Sequence, residues 1–294
     1  MPIRALVLLS VFTVSTANLQ AQGVQLRWKF RSQESLNYTV LQNMETVMVV
    51  GDNEVKQAMN QSMDMTWNIK SVAAGGDTVM DQVVSRIQMK MAGGPAGDVQ
   101  FDTSNPQKSE NPIINSMGEV FRKIVNQAFT IHMKPTGEIG EVQVPQELIE
   151  AIKNSAAGSS NALNEDTLKQ MMKQSAVTLP AGPVKAGDTW NSRQSVQLPF
   201  GTMEIQSQMT LTEVDASGNA IINIKPEISV APREGAPVKM SLNNSTGSGV
   251  VTFHVESGRV TRSQLLLDME MKIEAGQQTF TQNIRQSTEM KLAQ

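Results

Sequence analysis

Two histidines, His132 and His254, are the residues of this chain best suited to proton transfer or metal binding near neutral pH. Apolar residues flank each of them, so we expect both imidazoles on the polar face of a β-strand. No second histidine lies near either one in the sequence, and neither does a pair of acidic residues with a suitable spacing. A solvated surface histidine therefore explains each position better than a catalytic or metal-binding role does.

Three short acidic groups offer oxygen atoms for a cation or for acid–base chemistry. Asp52-Asn53-Glu54 and Glu165-Asp166 contain the residue types of calcium sites, but neither has the spacing of a calcium-binding loop. A turn and a helix N-terminus explain these two groups. Glu138 and Glu141 could form the carboxylate pair of a glycoside hydrolase. We expect them instead to be solvated turn residues.

The common catalytic motifs are absent from the sequence, which has no nucleophile elbow, HExxH, P-loop or complete GxGxxG. Gly247-Ser248-Gly249 lacks the third glycine and the helix that should follow it. The chain has no cysteine, which removes disulfides, thiolate nucleophiles and cysteine metal sites. We therefore expect no enzyme activity, no catalytic residue, no metal and no cofactor, and the sequence identifies no individual ligand-binding residue.

Methionine is the residue type with a plausible binding role, since the chain has 19 of them against only 4% aromatic residues. Its flexible thioether fills irregular cores and lines adaptable binding surfaces. Both interpretations stay open: a pliable cavity for an acyl chain, or a filled core. The candidates lie at apolar positions of the pattern: Met59, Met63, Met65, Met89, Met91, Met171, Met172, Met203, Met209, Met269 and Met271.

Alternating apolar and polar residues dominate the chain and predict about a dozen strands, the first from Val24 to Phe30. Short, turn-like connections predict antiparallel hairpins, and residues from Asn243 to Gly249 look like such a turn. Long twisted strands curl. We therefore predict a mainly β fold with a small helical insertion: a strongly curved antiparallel sheet, a half-barrel or a barrel.

A helical period interrupts the alternation only within residues 111–176, where apolar residues recur at spacings of three and four. We expect these helices to pack on the concave face of the sheet, with a small, polar loop at residues 154–162. The segment 145–179 would then join two β halves, residues 22–144 and 180–294, within a single β domain.

The N-terminus has the features of a signal peptide. Arg4 supplies the positive charge, and Ala5 to Val14 form an apolar run too short to span a bilayer. We expect residues 1–21 to be removed near Ala21, leaving a soluble domain, residues 22–294, in the periplasm or outside the cell. No later stretch of the sequence is apolar enough over the length of a membrane helix.

Four stretches carry a resemblance to a known family: Leu26-Arg27-Trp28-Lys29-Phe30, Met63-Asp64-Met65-Thr66-Trp67, Pro135-Thr136-Gly137-Glu138, and the run from Leu179-Pro180 through Ala186-Gly187-Asp188-Thr189-Trp190 to Pro199-Phe200-Gly201. In them the chain resembles exported bacterial proteins defined as a domain of unknown function, over most of its mature length. That resemblance implies no activity and no catalytic residues. The expected arrangement is also similar to periplasmic lipoprotein carriers, whose curved sheet and inserted helices hold acyl chains.

The leading hypothesis is a non-enzymatic exported protein that binds an apolar ligand, such as an acyl chain, on a methionine-lined concave sheet. The alternative is a structural or protein-interaction module of the cell envelope with a filled core. The partner would be a lipid in the first case and an envelope protein in the second. A net charge of −3 without a basic cluster argues against nucleic acid. The oligomeric state stays open.

Overall fold

The computed structural model describes residues 23–94, 97–105, 112–153, 165–173, 176–198, 201–236, 238–276 and 278–293. The predicted signal peptide, residues 1–21, and the predicted loop, residues 154–162, lie outside the described residues. Within them the chain forms twelve strands and three helices. The strands are β1 (Ser35–Val50), β2 (Asn53–Val72), β3 (Thr78–Gly93), β4 (Val99–Asp102), β5 (Ala128–Met133), β6 (Ile139–Gln143), β7 (Thr189–Leu198), β8 (Gly201–Val214), β9 (Asn219–Pro232), β10 (Val238–His254), β11 (Arg259–Ala275) and β12 (Gln278–Leu292).

The helices fall between β4 and β7, where the sequence predicts them: α1 (Pro112–Ile124), α2 (Gln146–Lys153) and α3 (Glu165–Lys173). All twelve strands belong to one antiparallel sheet, in the order β6-β5-β3-β2-β1-β12-β11-β10-β9-β8-β7, with β4 also paired to β3. Short hairpin connections account for most of this order, and the pairs β3–β5 and β1–β12 join strands that are not consecutive in the chain. The predicted mainly β class, the dozen strands and the antiparallel pairing are confirmed.

The first and last strands join the N-terminal and C-terminal strands into one continuous sheet. β1 pairs with β12 from Tyr38 opposite Leu292 to Val49 opposite Thr281. A ladder of this length holds together parts of the chain far apart in sequence, so the sheet continues without a break through residues from both predicted β halves.

The sheet curves strongly around one face, which we call the inner face and which carries the buried side chains of Tyr38, Trp67, Ile131, Leu211 and Phe253. These residues belong to strands far apart in the sheet, yet they share one hydrophobic core. Only a curled sheet brings them together, as its accumulated twist allows.

The three helices pack on the inner face, as predicted. The ring of Phe121 in α1 lies 5.8 Å from that of Phe101 on β4. Leu148 of α2 and Leu168 of α3 share a buried cluster with Phe129 on β5. Helix α3 also contacts both edge strands, β6 and β7. Within the described residues these two edges are not paired with each other, so the sheet remains open rather than closing into a barrel.

Two local predictions are wrong. Residues 24–30 do not form a strand of the sheet. They run as an extended segment whose backbone bonds reach three separate places, from Val24 to Val184, from Trp28 to Pro135 and from Lys29 to Gly258. The alternation in this segment is real, since Leu26 and Trp28 are buried, but burial between connecting segments produces the same pattern as a strand.

Residues 243–249 are not a turn, because β10 runs unbroken from Val238 to His254. Turn-forming residue types are overridden by pairing with β11 along the whole strand, and the extra asparagine is absorbed as a register shift between Leu242 and Asn244. The glycine at 247 has a packing role instead. A β-carbon there would overlap the ring of Pro226 on β9.

Candidate functional site

The two ends of the inner face are built differently. The closed end is where β1 begins and β2 ends, and it is covered by the segments 23–34 and 176–188. Val24 and Val184 exchange two backbone hydrogen bonds of 2.7 and 2.9 Å, and the Leu179 amide donates to the Thr136 carbonyl at 2.7 Å. These bonds fasten the two covering segments to each other and to the turn between β5 and β6.

Aromatic rings fill the closed end. The ring of Trp28 lies within 5.8 Å of the rings of Phe30, Trp67 and Phe253, and the ring of Tyr38 lies 4.9 Å from Trp67. The indole nitrogen of Trp28 donates to the Val177 carbonyl at 3.0 Å. Burial raises the pKa of the Tyr38 phenol well above its usual value. This end is a packed core.

The open end of the inner face lies toward the tips of the hairpins, at Gly51 and Gly276. Most of its apolar side chains are half-buried, although Ile273, close to Gly276, is buried. Among the predicted methionines, Met65, Met89 and Met209 are buried on the inner face, while Met59, Met63, Met91, Met203, Met269 and Met271 are half-buried there. Met172 of α3 is half-buried against the core, and the side chain of Met171 lies outside the described part of the molecule. Sequence periodicity therefore placed these methionines on the correct face.

Within the described strands, no charged side chain lies on the inner face, which follows from the register of every strand pair. The strand ion pairs lie on the outer face. Arg86 contacts Asp102 at 2.6 Å, and Arg285 contacts Asp268 at 2.8 Å. Hydrogen bonding from the Arg86 guanidinium holds the pKa of Asp102 well below its usual range.

Uncharged polar side chains interrupt the apolar inner face at several positions, and we call one group of them, on the central strands, the glutamine patch. It comprises Gln42, Thr46, Gln57, Gln61, Gln286 and Thr288 on the adjacent strands β2, β1 and β12. The side chains are neighbours across the ladders: Gln42 is opposite Gln61 on one side and Thr288 on the other, and Thr46 is opposite Gln57. Within this patch the Gln286 amide donates to the Thr288 hydroxyl at 3.2 Å. Met44 and Met59 lie opposite each other between its rows.

Sequence reasoning missed the glutamine patch. Its signal was present, since the polar residues fall at positions where the alternation demands apolar ones. Sequence alone could not show that these interruptions on three strands, one of them near the C-terminus, come side by side. That depends on the pairing of β1 with β12.

A second buried polar feature was also missed. Gln82 is 1% exposed and stands opposite Trp67 across the β2–β3 ladder. Neither the amide of Gln82 nor the indole nitrogen of Trp67 has a hydrogen-bond partner among the described residues. Buried polar groups without hydrogen-bond partners lower the free energy of unfolding. This pair therefore makes the closed end less stable than an apolar pair would.

The residues that could do chemistry are scattered. His132 is exposed on the outer face of β5. His254 is half-buried at the end of β10, where its Nδ1 atom lies 2.8 Å from the Ser257 hydroxyl. Backbone and side-chain hydrogen bonds from Asn219 lower the pKa of nearby Asp215, to which His254 adds a smaller effect.

The predicted acidic groups bind neighbouring residues. Glu138 pairs with Lys134 at 2.9 Å, and Glu165 pairs with Lys169 at 2.6 Å within helix α3. Glu141 is exposed and accepts a hydrogen bond from Gln143. Over the described ranges, no three histidine, aspartate or glutamate side chains are arranged to hold a metal ion.

The outer face also carries an apolar feature. Leu41, Val250 and Leu266 are exposed on three strands and line a groove of about 670 Å³ together with Gln264 and Glu289. Exposed large apolar side chains grouped around one groove are typical of interaction surfaces.

None of the helices in the described parts of the chain has the length and apolar character required to cross a membrane.

The fold and this site define an all-β protein made of one open, strongly curved antiparallel sheet with an uncharged inner face. The chain belongs to a family of unknown function (DUF6263), whose model matches residues 75–260. No curated protein matches the chain.

Several solved structures are similar to this chain. One, which describes lipid–protein interactions in lipovitellin, is 9% identical, covers 90% of this chain and 26% of the lipovitellin chain, and has a TM-score of 0.52. The chain therefore spans about a quarter of that protein, and the likeness shows the fold alone. An outer membrane channel from Pseudomonas putida F1 is 7% identical, with 91% and 98% of the two chains covered and a TM-score of 0.29, too low to carry an argument.

Proposed function

We propose that this protein is a non-enzymatic binding protein that holds an apolar ligand, such as an acyl chain, against the open end of the inner face. The observation that carries the proposal is the set of half-buried methionines on that face. The other end of the same face, the closed end, is packed with aromatic rings. Methionine adapts to ligands of variable shape. The lipovitellin likeness is compatible with this role, since that structure concerns lipid–protein interactions.

Energetics favour a ligand at the open end. Apolar surface gains about 25 cal/mol for each Å² removed from water, so an acyl chain and the half-buried methionines both gain from contact. The closed end has less such surface left to cover, because Leu26, Trp67 and Phe253 are completely buried and only a few side chains such as Phe30 are half-buried.

Native mass spectrometry of the protein purified from its own host tests the proposal. We expect an adduct that organic solvent removes and that a fluorescent acyl probe replaces. Met59→Asp should abolish probe binding, because it places an uncompensated charge on the inner face. The neighbouring Asn60→Asp, on the exposed outer face, is the matched control and should bind like the wild type. A wild-type protein that carries no lipid and takes up no probe would exclude this function.

The proposal places the protein outside the cytoplasm. Arg4 and the apolar run from Ala5 to Val14 support this location. The test is a fusion of residues 1–30 to a reporter that is active only after export. Activity that disappears when Leu8 and Leu9 are replaced by arginine is expected, and an inactive wild-type fusion would exclude export by this segment.

A protein-interaction module is the second candidate, favoured by the exposed groove at Leu41, Val250 and Leu266. It predicts that Leu266→Lys weakens capture of an envelope protein in a cross-linking experiment and leaves uptake of an acyl probe intact. The two candidate functions use opposite faces of the sheet, so Met59→Asp and Leu266→Lys separate them.

A further inference from the structure

The proposed binding face contains polar groups but no charge. Every ion pair on the described strands lies on the outer face or near a turn, whereas the inner face of β2, β1 and β12 offers only amides and hydroxyls. An ionised group moved onto this face would lose water and meet no opposite charge, which is strongly unfavourable.

The glutamine patch could still pair uncharged polar atoms. A side-chain amide both donates and accepts hydrogen bonds, and a hydroxyl does the same. Gln61, Gln42 and Thr288 form an unbroken row across three strands, and Gln57 and Thr46 form a second row nearer the open end. The methionine pair Met44 and Met59 separates the two rows.

This layout matches a molecule with uncharged oxygen atoms at the junction of its alkyl chains. From it we infer that the ligand is a neutral acyl ester, of the mono- or diacylglycerol class. Its ester and hydroxyl groups contact the glutamine patch, and its chains lie along the methionines of the open end. The inference rests on the proposed function, because it names the chemical class of the ligand for the same face.

Competition between two lipids with the same acyl chains tests the inference. Dioctanoylglycerol and dioctanoyl phosphatidic acid would each displace a fluorescent acyl probe from the full-length protein at neutral pH. We expect dioctanoylglycerol to compete at least about tenfold better, because the phosphate group leaves a buried charge unpaired. Equal or better competition by phosphatidic acid would overturn the inference and leave the proposed function standing. A wild-type protein that binds neither the probe nor either lipid would overturn both.

Variants of the patch test the contact itself. Gln42→Met with Gln61→Met should weaken dioctanoylglycerol about tenfold, because it removes the hydrogen-bonding partners of the ester. Binding of an alkyl probe without polar atoms should be retained, which also shows that the variant folds. The matched control is Gln206→Met with Gln208→Met, two exposed glutamines on the outer face of β8. Unchanged dioctanoylglycerol affinity in the patch variant would overturn the inference.

A charge introduced into the patch should reverse the preference. Gln61→Lys supplies the missing opposite charge, so phosphatidic acid should then compete better than dioctanoylglycerol. A Gln61→Lys protein that binds the alkyl probe but keeps the wild-type preference for dioctanoylglycerol would place the lipid head away from the patch and contradict the inference.

Discussion

The closed and open ends of the sheet use the same strands and the same alternation of residues, yet they have opposite physical characters. At the closed end, Leu26, Trp67 and Phe253 are completely buried, and two segments from outside the sheet cover them. At the open end, the inner-face residues Met59 and Met271 keep part of their surface exposed. One end therefore supplies the stability of the fold, and the other leaves apolar surface for a ligand.

A sheet of long strands can therefore separate stability from binding along its own axis. Rigid aromatic rings make a core whose shape is fixed, while flexible thioethers make a surface that adapts. Substitutions at the closed end should change the free energy of unfolding, and those at the open end should change ligand affinity.

Trp28→Ala should lower the free energy of unfolding by about 3–5 kcal/mol, the usual cost of removing a large buried aromatic side chain. Trp28 contacts three other rings and fastens the covering segment to the Val177 carbonyl. Urea denaturation followed by circular dichroism measures the change. Met44→Ala at the open end is the control and should cost less than half as much, since Met44 is half-buried. Equal losses would show that the two ends do not differ as cores.

Gln82→Met should raise the free energy of unfolding by about 1–3 kcal/mol, because it removes a buried amide without a hydrogen-bond partner. The methionine side chain has a similar length and fits a buried site. The comparison variant is Gln88→Met on the outer face, which loses a hydrogen bond to Asp102 at 2.9 Å and should be slightly destabilised. Destabilisation by Gln82→Met would mean that Gln82 contributes a bond that the wild-type fold needs.

The sequence predicted the faces of the strands better than the ends of the sheet. Alternation assigns each methionine to a face, because a strand turns by half a revolution per residue whatever surrounds it. It does not distinguish the closed end from the open end, since that depends on which segments cross the face. Trp28 illustrates this limit, because its pattern was that of a strand, yet its backbone N–H donates to the Pro135 carbonyl in a connecting turn.

Contacts between paired strands were equally out of reach of the sequence. The turn expected at Gly247 is a place where a neighbouring proline ring needs room, and this is visible only once β9 lies beside β10. The glutamine patch likewise exists because the first strand pairs with the last. Both features follow from the pairing of particular strands, which local residue preferences do not encode.

Tyr38→Phe should lower the free energy of unfolding by about 1 kcal/mol at neutral pH, because the phenol donates a buried hydrogen bond of 3.2 Å to the Val260 carbonyl. It should also remove a separate loss of stability that the wild type suffers in alkali. Burial raises the pKa of the Tyr38 phenol, so the folded protein favours the protonated form. This contribution is complete below the unfolded pKa of about 10 and is lost as the pH rises above it, by about 1.4 kcal/mol per pH unit. Urea denaturation between pH 8 and pH 11 should show a steeper loss for the wild type than for Tyr38→Phe. Parallel curves would mean that the phenol ionises equally in both states.

Strands β9 and β10 should differ in amide hydrogen exchange on the two sides of Pro226, and this is the subtlest effect that we expect. The hydrogen-bonded register of β9 with β10 covers Asn219–Ile224 and Gly249–His254, while residues 225–232 and 238–248 stay paired to β8 and β11 on their other sides. Pro226 has no N–H to donate, and it stands at the point where this register stops. We call the unpaired stretch between residues 225–232 of β9 and residues 238–248 of β10 the seam. Separating the two strands along the seam breaks no described ladder bonds between them.

Hydrogen exchange measured residue by residue by NMR checks the seam. Amides of residues 238–248 that point toward β9 should exchange faster than those of residues 249–254, because only the second set donates to β9. The β11–β12 hairpin is the internal control, since its ladder is continuous from Ala275 to Arg262, and its amides should be uniformly protected. Binding of a ligand at the open end should slow exchange along the seam and leave the closed end unchanged. Equal protection along all of β10 in the free protein would show that the two strands are bonded throughout, and the open end would then be as rigid as the closed one.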